Sequence, residues 1–507
     1  MKILQIRTHP SVVRLGISLL ILAGALVAFW AFYPDSTQFQ VTVIPPTCTD
    51  SGYSIYTNTK DGTTYVDDVV PATGHRFKKW NTLQEATLLQ AGTQSRQCKV
   101  CSHTEEKTVY PNTGLPRLCL TGDLAGIGKV TEVAVDVDFA GQGQNFRCGG
   151  NLKYQGHSTL HHDKKNYTLK LLDPQEPGKK YKVTFENWQA EHKYILKANS
   201  IDPSQCRNLI CADLWGQMVA SRPNLQEELS GLSNFGAVDG FPIALYINGS
   251  LQGIYNMNLH KDDDLFGMED GNHQGILIAN QKDEAACFRQ IASFADDTSW
   301  EVEFCGTEDS AWLKDKLNKF IRFVQESDDQ TFRQDLKQYL DVDAAVDYLL
   351  AIYILGLPEN GTKDLIFVTY HPDMPWIPSL YDMENAFGLS PDGTSFRKSE
   401  DFLPVMSATK WDSATDSLLW DRVLTLFLPE IQARYAQLRG SFLTPEHVIE
   451  KVQVFYDSIP QQLYEADAQR NTYPMENIDH QTQITQYITA RFAHLDTIFQ
   501  ISEGNLS

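Results

Sequence analysis

The chain has 507 residues, 11% aromatic and 21% charged, with a formal net charge of −21. Its length accommodates two to four domains with a sizeable core, and the composition is that of a globular rather than a disordered protein. The acidic excess excludes a role built on nucleic-acid binding, which requires clustered Lys and Arg against phosphates.

At the amino terminus Lys2, Arg7 and Arg14 precede an apolar run at 15–33, and the first acidic residue is Asp35. Such a run is long enough to span a bilayer. Trp30, Phe32 and Tyr33 stand where a cleavage site would need small residues, and they resemble an interfacial aromatic belt. The expectation is a cytoplasmic segment (1–14), an uncleaved signal anchor (15–33) and, by the positive-inside rule, everything further outside the cytoplasm. The protein is then a single-pass cell-membrane protein with an extracytoplasmic main domain.

Residues 34–46 read as a linker and 47–114 as a small cysteine-containing β module. Short Thr-, Val- and Tyr-rich runs are broken by Asp61-Gly62, Thr73-Gly74 and Thr113-Gly114, which signals hairpins. Two halves, 48–75 and 86–114, are faintly alike, and the stretch resembles the small cysteine-containing repeats of Gram-positive surface proteins. Cys98-Lys-Val-Cys101, with Cys48, His75 and His103 in the same module, has zinc-binding residue types. A single CxxC is half a zinc ribbon, however, so a disulfide or a lapsed site is expected there rather than Zn²⁺. Nine cysteines leave at least one unpaired. Cys287 with Cys305 and Cys206 with Cys211 are pairings to consider, buried free thiols being the alternative.

From about 115 the pattern predicts strands at 130–139, 151–154 and 167–172, a hairpin over 241–257 turning at Asn248-Gly249, and strands at 365–370 and 377–381. Helical periodicity falls at 204–220, 312–326, 341–356, 417–428, 430–439, 445–464 and 482–499. The strand ending near 380 delivers Asp382 and Glu384, and residues two apart on a strand point to one side. Followed by Asn385 and the Phe387-Gly388 turn, such a pair suits Mg²⁺, which takes a few carboxylates, waters and substrate phosphates. A solvated acidic turn is the alternative.

The segment Tyr381-Asp-Met-Glu-Asn-Ala-Phe-Gly388 resembles the metal-binding segment of the CotH spore-coat kinase family. Three further blocks resemble that family in the same order: Lys153-Tyr-Gln-Gly-His-Ser158 with Lys164-Lys-Asn-Tyr167 and Leu169-Lys170; Lys193-Tyr-Ile-Leu-Lys-Ala-Asn199 with Asp202 and Arg207-Asn208; and Tyr246-Ile-Asn-Gly249 with Gly253-Ile-Tyr255 and Lys261-Asp262. Together they span roughly 115–439. The resemblance implies an α+β, atypical protein-kinase-like domain over 115–507, with a β-rich N-lobe and a helical C-lobe, that moves phosphate from ATP to protein. It further implies a turn over the phosphates at Gln155, Gly156 and Ser158, and phosphate-binding cations at Lys165, Lys170, Lys197 and Arg207. Mg²⁺ or Mn²⁺ falls to Asp382, Glu384 and Asp364, and catalytic roles to Glu359 and Asp382.

Where the family has Asp-Asn, Lys-Asn and Asp-x-Asp, this chain has Glu359-Asn360, Lys363-Asp364 and Asp382-Met-Glu384. Each change keeps a metal-binding oxygen, but a longer Glu moves its carboxylate by about one C–C bond, and rates respond to misplacements of about 1 Å. Two expectations follow. One is an active kinase acting on Ser or Thr of a surface or spore-coat protein. The other is a pseudokinase serving as a structural or binding protein at the cell surface. No Ser-His-Asp or metallohydrolase spacing supports a hydrolase.

Overall fold

The computed structural model describes residues 38–500 except 157, 177, 186–187, 296–298, 408 and 476. The expected anchor at 15–33 lies outside the described residues, and among the described residues no helix is long and apolar enough to cross a membrane. The chain divides into two compact units: Met1–Glu85 with Gly92–Val109, and Ala86–Ala91 with Tyr110–Ser507.

The smaller unit is two three-stranded antiparallel sheets, β1 (Phe39–Ile44), β2 (Gly52–Asn58) and β3 (Thr64–Val70), then β4 (Asn81–Gln84), β5 (Gly92–Gln97) and β6 (Thr104–Val109). Strand β1 falls inside the expected linker because Phe-Gln-Val-Thr-Val-Ile alternates in the manner of a strand, and it pairs with β2 from Phe39↔Asn58 to Ile44↔Tyr53. The only buried apolar side chains among this unit's described residues are those of Cys48 and Cys98.

In the larger unit seven strands close into a barrel: β7 (Arg117–Thr121), β8 (Val133–Gly141), β9 (Gln144–Gln155), β10 (Asn166–Leu172), β11 (Lys193–Lys197), β12 (Gly240–Ile247) and β13 (Ser250–Leu259). Its order is β10-β11-β13-β12-β7-β8-β9, antiparallel except at β12 and β7. The β12–β13 hairpin turns at Asn248 and Gly249, both at positive φ (50° and 80°), as a two-residue turn with right-handed strand twist requires. A second sheet, ordered β15-β14-β16-β17, holds β14 (Gly275–Ala279), β15 (Trp300–Cys305), β16 (Leu365–Thr369) and β17 (Ile377–Leu380).

Helices α1 (Arg207–Ala220), α2 (Ala311–Glu326), α3 (Val342–Leu355), α4 (Leu418–Leu426), α5 (Leu428–Arg439), α6 (Pro445–Ser458), α7 (Gln461–Arg470) and α8 (His480–Ile498) complete it. Helix α3 is buried from Ala344 to Leu355, as an all-round apolar helix must be. Asp341 caps its start, accepting from the Ala344 N–H at 2.8 Å, and Gly356 ends it at φ 72°. One helix is expected over 445–464, but the structure has two. Pro460 supplies no N–H and pushes Ile459 into an extended conformation (φ −110°, ψ 117°), so α6 stops at Ser458.

The disulfide pairings are also corrected. All nine cysteines are free thiols, and Cys206, Cys211 and Cys287 lie in the interior. Cys206 is the cap residue of α1 and Cys211 lies within it, so the two side chains belong to one helix end rather than to a clipped turn.

Candidate functional site

The site is assembled where the end of β11 meets the strand ends of the second sheet. Directly paired residues in a ladder share a face, and here Lys153↔Thr168, Thr168↔Ile195 and Ile195↔Asn258 form one row across four strands. The alternate residues Leu152, Leu169, Tyr194 and Leu196 belong to the barrel core. Lys193, Ile195 and Lys197 therefore project from the outer face. A small cleft on that face is lined by Ile195, Lys197, Asn208, Asn258, Tyr381 and Asp382 with two apolar neighbours. Gly240 is needed beside it, for a Cβ there would come within 2.1 Å of Asn258 Oδ1.

Across the cleft, β16 and β17 pair Leu365↔Leu380, which brings Asp364, just before β16, beside Tyr381 and Asp382, just after β17. Both aspartates adopt φ 55°, a left-handed conformation that Asp tolerates better than most residues. The backbone is pinned on either side: Asp364 N–H donates to Ala279 O at 2.6 Å and Met383 N–H to Asn208 Oδ1 at 2.8 Å.

Lys197 Nζ bonds Asp382 Oδ1 at 2.7 Å, with the lysine 3% and the aspartate 28% exposed. Burial works against both charges. For Lys197 the fields of Asp382, Glu384 and Tyr381 outweigh it and hold the ammonium above its ordinary range, while for Asp382 the charge and hydrogen bond of Lys197 hold the carboxyl below its own. Their neighbours go the other way. Burial, with the charge of Asp382 added, raises Asp364 to about 8 and Glu384 to about 7. Glu384 Oε2 is buried without a hydrogen-bond partner among the described residues.

Glu359 opens a short 3-10 turn after α3, where its Oε2 accepts from Asn385 Nδ2 at 2.9 Å and Lys363 Nζ lies 3.9 Å from its Oε1. Asn360 is interior: its Nδ2 donates to Tyr381 O at 2.8 Å and its carbonyl accepts from Tyr348 Oη at 2.6 Å. Gln155, at the end of β9, donates to Tyr381 Oη at 3.0 Å, and Gly156 follows at φ 97°, a conformation that needs glycine.

Lys197, Asp364, Asp382, Glu384, Glu359 and Gln155 are thus brought to one place. Gly156 directly follows Gln155 there, whereas Arg207, Lys170 and Lys165 are engaged elsewhere. Arg207 is fully buried as an internal clamp, with Nε on Ala386 O (2.9 Å), Nη1 on Asp202 and Ser204, and Nη2 on Gln483 (2.7 Å). With those donors committed, it positions the Asn385–Phe387 turn and does not face the cleft. Lys170 pairs with Glu132 at 2.6 Å, and Lys165 donates to Leu160 O at 2.6 Å. Ser158 opens a short 3-10 turn.

Two features escaped the sequence reading. Lys261 Nζ pairs with Glu303 Oε2 at 2.7 Å and lies 5.1 Å from the Tyr381 ring centre. Lys261 sits in a motif block, but Glu303 lies on β15, whose Trp-Glu-Val-Glu-Phe-Cys alternation reads only as a strand. Arg397 has a buried Nη1 without a partner among the described residues, and it feels the charge of Glu359.

The donor types suit a hard divalent cation: carboxylate oxygens, one of them an orphan, on groups of which two are pushed toward the protonated form by burial and by the charge of Asp382. Asp382, Glu384 and Asp364 are not among the groups of described residues whose ligand atoms all lie within 4.8 Å of one another, so holding one ion with all three would require their side chains to draw together around it, with water and substrate oxygens completing its shell.

Among curated proteins nothing matches this chain. The family model described as CotH kinase protein matches residues 152–495, well over half of the 507 residues, and covers the end of β9, the barrel strands β10–β13, the acidic turn and the helices that hold it. The chain belongs to the CotH kinase family.

Proposed function

We propose that this protein binds ATP with Mg²⁺ or Mn²⁺ between the outer face of β9–β11 and the Tyr381–Asn385 turn, in a two-lobed kinase-like arrangement, and transfers the γ-phosphoryl group to Ser or Thr of a surface or spore-coat protein. The observation that carries this reading is the Lys197–Asp382 pair beside the orphaned Glu384 oxygen. The cation would be held by Asp382, Glu384 and Asp364, and it would supply positive charge to the phosphate oxygens. Lys197 is the one expected phosphate-binding lysine next to that group. Asn258 Oδ1, unpartnered among the described residues, is an acceptor in the cleft wall for a donor group of the nucleotide.

In the transfer the substrate hydroxyl oxygen bonds to the γ-phosphorus as the bond to the β,γ-bridging oxygen breaks and ADP departs. The hydroxyl proton passes to the Glu359 carboxylate. The reading places the protein at the cell membrane through its amino-terminal segment, with the catalytic unit outside.

A pseudokinase reading has its own supporting observation. Asp382 is already neutralised by Lys197, and Asp364 and Glu384 resist ionisation, so the same site serves as a binding face when no cation displaces those protons. Thermal shift of the protein with ATP, with and without Mg²⁺ or Mn²⁺, followed by labelled-ATP autophosphorylation, separates the two. A cation-dependent shift with label incorporation supports the kinase; a shift without label supports the pseudokinase; no shift rejects nucleotide binding.

A further inference from the structure

The smaller unit poses a stability problem. Its only buried apolar side chains among described residues are those of Cys48 and Cys98, while Val41, Val43, Tyr65, Val66, Val69, Val70 and Leu83 are exposed. A unit of this size without a core needs disulfides or a metal, and it has no disulfide.

Its four candidate ligands converge. Cys48 Sγ, His75 Nδ1 or Nε2, Cys98 Sγ and Cys101 Sγ lie within 4.8 Å of one another. Cys48 Sγ stands 3.8 Å from Cys98 Sγ, and Cys101 Sγ 3.4 Å from His75 Nδ1. A tetrahedral centre with Zn–S bonds of about 2.3 Å sets its sulfur atoms about 3.8 Å apart, and with Zn–N of about 2.05 Å it sets sulfur and nitrogen about 3.6 Å apart. A disulfide would need about 2.05 Å.

The surroundings support ligation. The Val100 N–H donates to Cys98 Sγ at 3.4 Å, favouring a thiolate. His103 stacks on the His75 ring at 4.1 Å and 7°, fixing its plane. Thr73 N–H donates to Thr47 O at 2.9 Å and Lys99 N–H to Arg76 O at 2.8 Å, so backbone bonds hold the Cys48, His75 and Cys98 segments together.

The sequence shows why this looked like half a site. Gly52, Pro71, Thr73 and Gly74 of the first half recur as Gly92, Pro111, Thr113 and Gly114 of the second. In that register Leu88 stands where Cys48 would recur, and Asn58 and Asp61 stand where Cys98 and Cys101 would. Neither half carries the full ligand set, and the four ligands that the two halves do carry meet in space.

We infer that Cys48, His75, Cys98 and Cys101 form a structural Zn²⁺ site that joins the β1–β3 sheet to the β4–β6 sheet. Three thiolates and an imidazole select a soft-tolerant tetrahedral cation over Mg²⁺ or Ca²⁺. Elemental analysis of the full chain, purified under reducing conditions with Zn²⁺ and passed through gel filtration, should find one zinc per chain. Cys98→Ser and His75→Ala should lose it, and Asp382→Asn should keep it. His75→Cys, which preserves four soft ligands, should also keep it, so that loss in the first two variants is read as loss of a ligand. Cobalt exchanged into the parent should give tetrahedral ligand-field bands with thiolate charge transfer. A metal-free parent, a Cys48–Cys98 disulfide in the non-reduced peptide map, iron in place of zinc, or full zinc in Cys98→Ser would each overturn the inference.

Discussion

At Asp382 the proposed cation would have to share the carboxylate with Lys197, which already holds Oδ1 at 2.7 Å. Asp382→Asn removes the charged ligand and should abolish the cation-dependent part of ATP stabilisation. In the parent that stabilisation should be about 2.7 kcal/mol with ATP at about 100 times Kd if the proposed site binds it, and thermal shift with and without Mg²⁺ reads the difference. Asp364 and Glu384 carry a second expectation. Their folded-state values of about 8 and about 7 lie above the ordinary carboxyl range. These two groups therefore bind more protons in the folded than in the unfolded chain between about pH 4 and 8, and their contribution to metal-free stability should fall as pH rises through that window. Denaturant midpoints from pH 5 to 8, taken for the parent and for Asp364→Asn with Glu384→Gln, test this: the parent should lose more stability than the double variant as pH rises, identical profiles would show that the two groups are ionised already, and added Mg²⁺ should recover part of the parent's extra loss. Restoring the family pattern with Glu359→Asp, Asp364→Asn and Glu384→Asp should increase label incorporation if the longer and extra carboxylates are what slows transfer. The Asp364 change is compatible with φ 55°, since Asn tolerates that region.

At the scale of elements, the acidic turn is held from behind by α1 and α8 through Arg207, and the helices are tied together by a buried triad. Asp347 on α3 accepts from Arg222 Nε, just past α1, and from Arg434 Nε on α5, each at 2.7 Å, with the aspartate wholly buried. Removing the shared carboxylate leaves two guanidinium groups inside without their counter-charge. Asp347→Ala should cost about 3–5 kcal/mol, read from urea unfolding, and Asp347→Asn should cost less because one oxygen still accepts. An effect under about 1 kcal/mol would mean that water reaches the pair. Much at this scale was legible beforehand. Helix α3 follows from its apolar run with Asp341 before it and Gly356 after it, and the β12–β13 hairpin follows from Asn248-Gly249. Pro460 was equally visible, but periodicity on both sides of it hid the break, which local backbone sterics decide.

At the scale of the whole molecule, residues 86–91 belong with the larger unit although they lie between β4 and β5. Ala91 N–H donates to Gly249 O at 2.8 Å, Leu251 N–H to Leu89 O at 3.0 Å, and Tyr246 Oη to Leu88 O at 2.7 Å. Leu88, Tyr110 and Leu115 pack on the cluster of Tyr246, Leu251 and Leu463. A chain starting at residue 115 therefore loses part of the larger unit's own packing and should melt several degrees below the full chain. Equal melting temperatures would show that the 86–91 segment contributes nothing to that unit.

The family, most of the helices and the segment carrying Asp382 and Glu384 were legible in the residues alone, because capping residues, hairpin turns and motif blocks are local and survive as strings; the strands Arg117–Thr121, Lys193–Lys197, Gly275–Ala279 and Trp300–Cys305 were not. Which residues of those blocks meet was left to long-range packing. Arg207 and Lys197 read alike as expected phosphate-binding cations in one block, yet the first ends as an interior clamp and the second as the partner of Asp382, since their fates depend on packing against Ala386, Gln483 and β17. The closure of seven strands into a barrel and the meeting of Cys48 with Cys98 across two repeats were undecided for the same reason. Both are pairings between distant segments, set by long-range register and burial, and no short window of sequence records them.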